Sequence, residues 1–287
     1  MRIDARLLNE LIAIAHDAGS AILKLRDRDI AARTKADGSP LTQADLAANE
    51  TILEGLGEKF PGVPVITEER VPDAATTNTR HVFLVDPLDG TRDFLSGNGE
   101  YTVNIALLDG GDPVAGVIYA PALGAIYAGA MGHGVRRAKV TQHAIDHWEH
   151  VAATAPAKQL RAVTSRSHPS PKTQAYLDGL AVGDVVPIGS SLKFCLIAAG
   201  EADIYPRMGQ TMEWDTAAGD AILRAAGGTV RDLNGKPLRY NKRDAAGLHD
   251  LANPWFVAAG RLDPFAVKWR KEPAATAIFA PPSGRGV

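Results

Sequence analysis

The stretch Val82-Phe83-Leu84-Val85-Asp86-Pro87-Leu88-Asp89-Gly90-Thr91-Arg92-Asp93-Phe94 carries the strongest structural and chemical signal in this 287-residue sequence. Its first four residues are apolar and are followed by Pro and Gly, a pattern that predicts a short buried strand. Asp86 and Asp89 then fall on the tight connection that leaves the strand. Gly90 and Thr91 favour the start of a helix, where free backbone N–H groups attract an anion. Carboxylates suited to a hard cation therefore stand beside a predicted phosphate site, as metal-assisted phosphate chemistry requires.

Length and composition indicate an ordinary globular protein with one large domain or two modest ones. The net charge of −2 gives no global basic field, so nucleic-acid binding is not expected. The single cysteine, Cys195, excludes an intramolecular disulfide and a cysteine-based metal cluster. Charged residues at positions 4, 6 and 10 argue against an export signal, so a cytoplasmic location is expected.

Residues 113–132 carry no charge and therefore raise the question of a membrane span. Two prolines and several glycines divide them into two β-like runs, Val114–Tyr119 and Ala125–Ala130. A hairpin that turns at residues 121–124 explains this pattern better than a transmembrane helix. We expect no transmembrane segment, and peripheral membrane association stays open.

The first half of the chain is expected to be α+β. Apolar residues spaced three and four apart over residues 4–27 predict an amphipathic helix. Thr42 is suited to cap a second helix that runs to about Phe60, with Asp45 in its first turn. The next expected strands after the central stretch are Tyr101–Leu108, Val114–Tyr119 and Ala125–Ala130. The polar segment around residues 142–147 then predicts a boundary near residue 150.

The second half is expected to alternate strands and helices. The predicted strands are Arg161–Ser165, Asp184–Pro187, Ala202–Tyr205 and Trp255–Ala258. The predicted helices lie near residues 169–180, from Gly189 onward, and over 214–226. Beyond about Pro273 the Ala, Pro and Gly content predicts a frayed tail. The expected division is thus residues 1–150, 151–265 and a tail of 266–287.

Three separated acidic motifs resemble the signature of the inositol-monophosphatase superfamily of Mg²⁺-dependent, lithium-sensitive phosphatases. They are Glu68-Glu69, Asp86-Pro87-Leu88-Asp89-Gly90-Thr91 and Trp214-Asp215-Thr216-Ala217-Ala218-Gly219. Within that superfamily, residues 98–106 and 189–195 are most similar to the CysQ-type 3′(2′),5′-bisphosphate nucleotidases. The resemblance runs from the first helix to about residue 260. It implies a layered αβαβα fold of the sugar-phosphatase class, with an active site in the cleft between an α+β half and an α/β half.

The resemblance also implies roles for individual residues. The implied Mg²⁺ ligands are Glu68, Asp86, Asp89, Asp215 and the Leu88 carbonyl, for two or three ions. Gly90 and Thr91 supply N–H groups to the scissile phosphate. Asp45 accepts a hydrogen bond from the Thr91 hydroxyl, and the pair orients a water molecule for in-line attack. Glu69 is an alternative group for activating that water.

A second set of residues is expected to choose the substrate. Ser190, Ser191 and Lys193 offer two hydroxyls and an ammonium at a helix start, which suits a second phosphate. Arg207 stands where inositol-specific relatives have an acidic residue, so a hydroxyl site becomes a phosphate site. The segment Ser165-Arg166-Ser167-His168 resembles a nucleotidase loop that lies near the nucleotide. Ser165, Arg166 and His168 are therefore included among the expected substrate-binding residues.

These features together predict hydrolysis of the 3′-phosphate of adenosine 3′,5′-bisphosphate to AMP and phosphate, without a covalent phospho-enzyme. The family also acts on 3′-phosphoadenylyl sulfate, which links it to sulfur assimilation. A phosphatase for inositol 1-phosphate or fructose 1,6-bisphosphate is the alternative enzyme. A non-catalytic regulator that binds metal or phosphate is the alternative of another class. The family is often dimeric, and lithium inhibition is expected by resemblance.

Overall fold

The structure is a computed structural model that describes residues 1–26, 33–34, 40–141 and 144–266. Part of the polar segment around residues 142–147 and the expected tail beyond Pro273 lie outside these residues. None of the helices in the described ranges combines the length and the apolar character needed to cross a membrane.

The described residues form α-helices, strands and two short 3₁₀ helices. The α-helices are α1 (Ala5–Arg26), α2 (Gln43–Lys59), α3 (Thr91–Ser96), α4 (Pro171–Asp178), α5 (Leu192–Ala198) and α6 (Ala217–Ala225). The strands of the first half are β1 (Arg33–Thr34), β2 (Pro40–Leu41), β3 (Val65–Thr67), β4 (His81–Asp89), β5 (Thr102–Asp109), β6 (Asp112–Ala120), β7 (Ala125–Ala130), β8 (Gly134–Val140) and β9 (Ile145–Val151). Those of the second half are β10 (Leu160–Ser165), β11 (Val182–Ile188), β12 (Ile204–Arg207), β13 (Thr229–Asp232) and β14 (Phe256–Ala259). Short 3₁₀ helices cover Pro121–Leu123 and Glu213–Asp215.

The first large sheet has seven strands in the order β3-β4-β5-β6-β7-β8-β9. Strands β3 and β4 are parallel, and every later pair is antiparallel. Helices α1 and α2 pack together and cover one face, because their apolar residues recur on one side at helical spacing. Leu11 and Ile52 lie in that interface with Val85 and Ile105 of the sheet. The predicted helices and strands of this layer are confirmed to within a few residues.

Helices α5 and α6 form the middle layer, between the two large sheets. Helix α6 packs on β5, β6 and β7 of the first sheet, and Phe194 of α5 contacts Tyr205 and Phe256 of the second sheet. The approach of α6 is close: a Cβ atom on Gly116 would lie 2.5 Å from the Ala218 carbonyl oxygen. Gly116 therefore lets the start of α6, which follows Asp215, lie directly on β6.

The second large sheet has five strands in the order β11-β10-β12-β14-β13. Its inner face packs on α5 and α6, and its outer face packs on α4 through residues such as Tyr176, Ile204 and Val257. The layers therefore follow the order helix, sheet, helix, sheet, helix. This is the layered αβαβα fold that the sequence resemblance predicted.

Several local predictions were wrong. Strand β4 continues through Asp86 and Asp89, which were expected on a connection. Strands β8, β9 and β13 were not predicted, and β9 occupies much of the polar segment expected as a boundary. Most side chains of β9 are exposed at the edge of the sheet, so no apolar alternation marks it. Helix α6 begins at Ala217 and not at Trp214. The division near residue 150 stays a prediction. Helix α6 of the second half packs against the first sheet, so contacts cross the expected boundary.

Candidate active site

A cleft of about 620 Å³ opens where β3, β4, β10 and β12 end. Most of the site residues predicted from the sequence line it. These are Glu68, Asp86, Leu88, Asp89, Gly90, Thr91, Ser165, His168, Ser190, Ser191, Lys193, Arg207 and Asp215. Asp45, Glu69 and Arg166 are not among the described residues that line this cleft. The fold thus brings together positions up to about 150 residues apart in the sequence.

An irregularity in β4 gives the cleft its two central carboxylates. Asp86 is paired with Asn104 of β5 and Asp89 with Thr102, and the register shifts between the two pairs. Residues three apart on a regular strand point to opposite faces of a sheet. The shift behaves as a β-bulge, which re-aims side chains, and so lets both carboxylates line the same cleft.

The carboxylates of the cleft affect one another's ionisation. Burial raises the pKa of Asp86 well above its ordinary value, and the charges of neighbouring acids raise it further. Those neighbours are Glu68, Asp89, Asp215 and Asp45. Loss of water and the charge of Asp89 raise the pKa of Asp215 to about 8. Closely placed acids with little water around them are stabilised by a bound cation, so this donor set fits Mg²⁺.

Two of the acids in the cleft accept hydrogen bonds from backbone N–H groups. In the described ranges no three His, Cys, Asp or Glu side chains have the arrangement of a complete metal site. Asp86 Oδ1 accepts from the Leu88 N–H at 3.1 Å, and Asp215 Oδ2 accepts from the Met212 N–H at 2.8 Å. Mg²⁺ is usually bound through one or two carboxylates plus water and substrate oxygens. Glu68, Asp86, Asp89, Asp215 and the Leu88 carbonyl are the groups that would hold it.

Thr91 and Asp45 form the hydrogen bond expected from the sequence. Thr91 Oγ1 lies 3.2 Å from Asp45 Oδ1 and 3.3 Å from the Leu88 carbonyl oxygen. Asp45 is buried behind Thr91, and its Oδ2 accepts from the Thr42 N–H at 2.7 Å in the capping box of α2. The cap thereby fixes the carboxylate that faces Thr91. The catalytic role of the pair stays a prediction.

Gly90 connects β4 to α3 in the left-handed region, at φ 89°. A Cβ atom there would also lie 3.3 Å from the Glu100 carbonyl oxygen, so a side chain would be strained. Glu69 follows Glu68 in the turn after β3. Its role as an alternative base also stays a prediction.

The basic residues expected to bind a second phosphate are held by protein acceptors. Lys193 is buried and donates to the carbonyl oxygens of Ile188, at 3.2 Å, and Ser190. Burial lowers its pKa to about 8. Arg207 donates to the carbonyl oxygens of His168, at 3.3 Å, and Gln210, at 3.1 Å. Its buried Nε has no partner among the described residues.

The loop that begins at Ser165 lies between this cleft and a neighbouring cavity of about 640 Å³. Arg166 lines the second cavity and forms a paired ion contact with Glu100, at 2.8 and 2.9 Å. His168 Nε2 lies 3.3 Å from a terminal nitrogen of Arg92. Ser167 donates to Asp93 at 2.9 Å, so Asp93 in the first turn of α3 anchors this loop.

Sequence reasoning assigned no role to several polar residues around the cleft. Thr102 and Asn104 are buried side chains of β5 that bond the serines before α5. Glu100 accepts from the Gly189 N–H at 2.6 Å and from Arg166. A signal for the first two exists in the sequence: polar residues two apart in an apolar strand share one face. Their partners lie almost 90 residues away and carry no such signal.

Comparisons with known proteins agree on one family. The model of the inositol monophosphatase family matches residues 4–261. The chain is 42% identical to the 3′(2′),5′-bisphosphate nucleotidase CysQ of Escherichia coli K12, over 87% of this chain and 98% of the relative. It is also 42% identical to the CysQ of Salmonella typhimurium, with the same coverage. The crystal structure of CysQ from Bacteroides thetaiotaomicron superimposes with a TM-score of 0.76, at 38% identity, over 90% of this chain and 98% of that chain.

Proposed function

The chain belongs to the inositol monophosphatase family, and from that premise we propose that it is a Mg²⁺-dependent phosphomonoesterase that removes the 3′-phosphate of adenosine 3′,5′-bisphosphate. The observation that carries the proposal is the set of carboxylates from Asp86, Asp89 and Asp215 in one cleft, next to the hydrogen-bonded pair Thr91 and Asp45. The 3′(2′),5′-bisphosphate nucleotidases to which the chain is about 42% identical support the choice of substrate.

Bound Mg²⁺ would neutralise phosphate charge and lower the pKa of water in the cleft. The protein contributes the hydrogen bond between Thr91 and Asp45. An ionised carboxylate only accepts hydrogen bonds, so the Thr91 hydroxyl donates to Asp45. The lone pairs of Thr91 Oγ1 can then accept a proton from an attacking water. As the water oxygen bonds to phosphorus, its proton passes to Thr91 and the Thr91 proton passes to Asp45. The bond from phosphorus to the 3′-oxygen breaks, and that oxygen takes a proton from solvent.

The substrate-binding side of the proposal concerns positive charge. Arg207 and Lys193 bring two cationic side chains to a cleft whose other wall is acidic. The Nε of Arg207 is a buried donor that finds no partner in the part of the chain that the structure describes, and a phosphate oxygen is the kind of acceptor that a guanidinium favours. These residues support a substrate with a second phosphate, and the sulfated analogue 3′-phosphoadenylyl sulfate has the same 3′-phosphate.

The number of metal ions, the inhibition by lithium, the oligomeric state and the location are proposed from the family resemblance. We expect two or three Mg²⁺ ions, inhibition by Li⁺ and a homodimer in the cytoplasm. The buried Cys195 thiol is consistent with a reducing compartment. Analytical ultracentrifugation of the purified protein tests the dimer, and a monomer at micromolar concentration would contradict it.

The test is phosphate release from adenosine 3′,5′-bisphosphate, inositol 1-phosphate and fructose 1,6-bisphosphate, each with Mg²⁺ and with Mg²⁺ plus Li⁺. We expect a clear preference for the nucleotide, inhibited by Li⁺, and loss of activity in Asp86→Asn. A preference for either sugar phosphate would overturn the assigned substrate. Mg²⁺ binding without turnover of any of the three compounds would instead indicate a non-catalytic regulator.

A further inference from the structure

A continuous chain of hydrogen bonds runs from the cleft wall to one of the central carboxylates. Ser190 Oγ lies 2.9 Å from Thr102 Oγ1, and Thr102 Oγ1 lies 2.9 Å from Asn104 Oδ1. Asn104 Nδ2 then lies 2.9 Å from Ser191 Oγ, which is 3.0 Å from Asp89 Oδ2. The chain joins β5 of the first sheet to the segment that precedes α5.

The donors and acceptors available limit the direction of the bonds in this chain. The single proton of the Ser191 hydroxyl faces two groups that only accept, Asp89 Oδ2 at 3.0 Å and the Asp215 carbonyl oxygen at 2.9 Å. With its proton directed to these acceptors, Ser191 Oγ accepts from the amide of Asn104. The opposite orientation of that amide would place its oxygen against the carboxylate, at the 3.4 Å that now separates Asn104 Nδ2 from Asp89 Oδ2. The amide oxygen therefore accepts from Thr102, and Thr102 accepts from Ser190.

This direction changes what the two serines can do. The Ser190 hydroxyl proton is used by Thr102, so Ser190 has only lone pairs to present to the cleft. The Ser191 proton is used by Asp89 or by the Asp215 carbonyl oxygen, which lies 2.9 Å away. Neither hydroxyl is free to donate to a second phosphate, which is the role that the sequence suggested for both.

The consequence for Asp89 is a fixed orientation. Its Oδ2 lies 3.0 Å from the Ser191 hydroxyl, which also faces the Asp215 carbonyl oxygen, and 3.4 Å from the Asn104 amide nitrogen. Thr102, Asn104 and Ser191 are at most 1% exposed, so water does not compete for these bonds. Resting on the proposed use of Mg²⁺ by this site, we propose that Asn104 and Ser191 are positioning residues that hold the Asp89 carboxylate for the metal ion.

The test measures Mg²⁺ binding to the substrate-free protein by isothermal titration calorimetry. Ser191→Ala should weaken Mg²⁺ binding by roughly 10- to 100-fold, the usual effect of removing a group that orients a metal ligand. Ser191→Thr keeps the hydroxyl and should bind Mg²⁺ nearly as tightly as the wild type. Ser167→Ala is the matched control, because it removes a cleft hydroxyl that bonds Asp93 and not Asp89.

A second variant guards against misfolding of the first. Asn104→Leu keeps the branched shape, removes the amide contacts to Thr102, Ser191 and Asp89, and should weaken Mg²⁺ binding in the same range, with native circular dichroism. In Ser191→Ala the KM for the nucleotide at saturating Mg²⁺ should stay within about twofold of the wild-type value.

The opposite pattern overturns the inference: unchanged Mg²⁺ affinity in folded Ser191→Ala and Asn104→Leu, with a raised KM at saturating Mg²⁺, would make Ser191 a substrate contact. Because the titration needs no substrate, it separates this inference from the proposed activity. A wild-type protein that binds Mg²⁺ but hydrolyses no nucleotide would contradict the proposed activity and would not contradict the positioning role of Asn104 and Ser191.

Discussion

Thr91→Val removes one hydroxyl at the point where the proposed proton path crosses the cleft. Valine matches the shape of threonine, and Thr91 is the first residue of α3, where its side chain is half-buried. The lost contacts are those to Asp45, at 3.2 Å, and to the Leu88 carbonyl, at 3.3 Å. Because both are long for hydroxyl bonds, we expect the free energy of unfolding to change by less than about 1 kcal/mol.

The effect on catalysis should be much larger. A positioned acid or base contributes about 10²- to 10⁴-fold to a rate, which corresponds to about 2.7 to 5.4 kcal/mol in the activation free energy. The backbone N–H groups of Gly90 and Thr91 remain in the variant. We therefore expect kcat to fall by roughly that factor while the KM and the Mg²⁺ affinity stay near their wild-type values.

Steady-state phosphate release at saturating Mg²⁺ measures these parameters. Thr91→Ser retains the hydroxyl and should keep kcat within about tenfold of the wild type. Asp45→Asn should lower kcat similarly, and the double variant should lose little more, because the two residues act as one unit. A Thr91→Val protein with wild-type kcat would refute the proton path.

Three further predictions concern specificity, packing and the thiol. Arg207→Glu should lower the kcat/KM for adenosine 3′,5′-bisphosphate relative to inositol 1-phosphate by ~10- to 100-fold, since bonds to charged groups contribute about 1.5–3 kcal/mol; an unchanged ratio contradicts this. Gly116→Val should lower the Tm by several degrees, because its Cβ would lie 2.5 Å from the Ala218 carbonyl, while Gly57→Ala on α2 meets no atom within 4 Å and should not. Equal Tm changes in the two would argue against the close approach of α6. Burial raises the pKa of the Cys195 thiol, so iodoacetamide should label it only in denaturant, and rapid labelling of the folded protein would contradict its burial.

Local patterns in the sequence predicted the elements whose residues face a core. The helical spacing of α1 and the cap at Thr42 were read correctly because a buried face and a capping residue leave local signals. Strand β9 left none, since its side chains are mostly exposed. The layer order came from family resemblance and not from local patterns.

The candidate site shows the same limit more sharply. Spacing cannot relate Asp86 to Asp215, and only the resemblance of the acidic motifs united them before the fold did. For Ser191 the sequence motif suggested a contact to phosphate. The hydrogen bond from the buried Asn104 instead supports the proposed role in positioning Asp89. The identity of a hydroxyl's acceptor depends on packing between residues 87 positions apart, which no motif states.

The most direct test of the central claim is the product analysis of adenosine 3′,5′-bisphosphate hydrolysis in H₂¹⁸O with Mg²⁺. Attack of water at the 3′-phosphorus predicts AMP with its 5′-phosphate intact and free of ¹⁸O, together with inorganic phosphate that carries one ¹⁸O atom. Formation of adenosine 3′-phosphate, ¹⁸O in the nucleoside, or no turnover at any Mg²⁺ concentration would contradict the account.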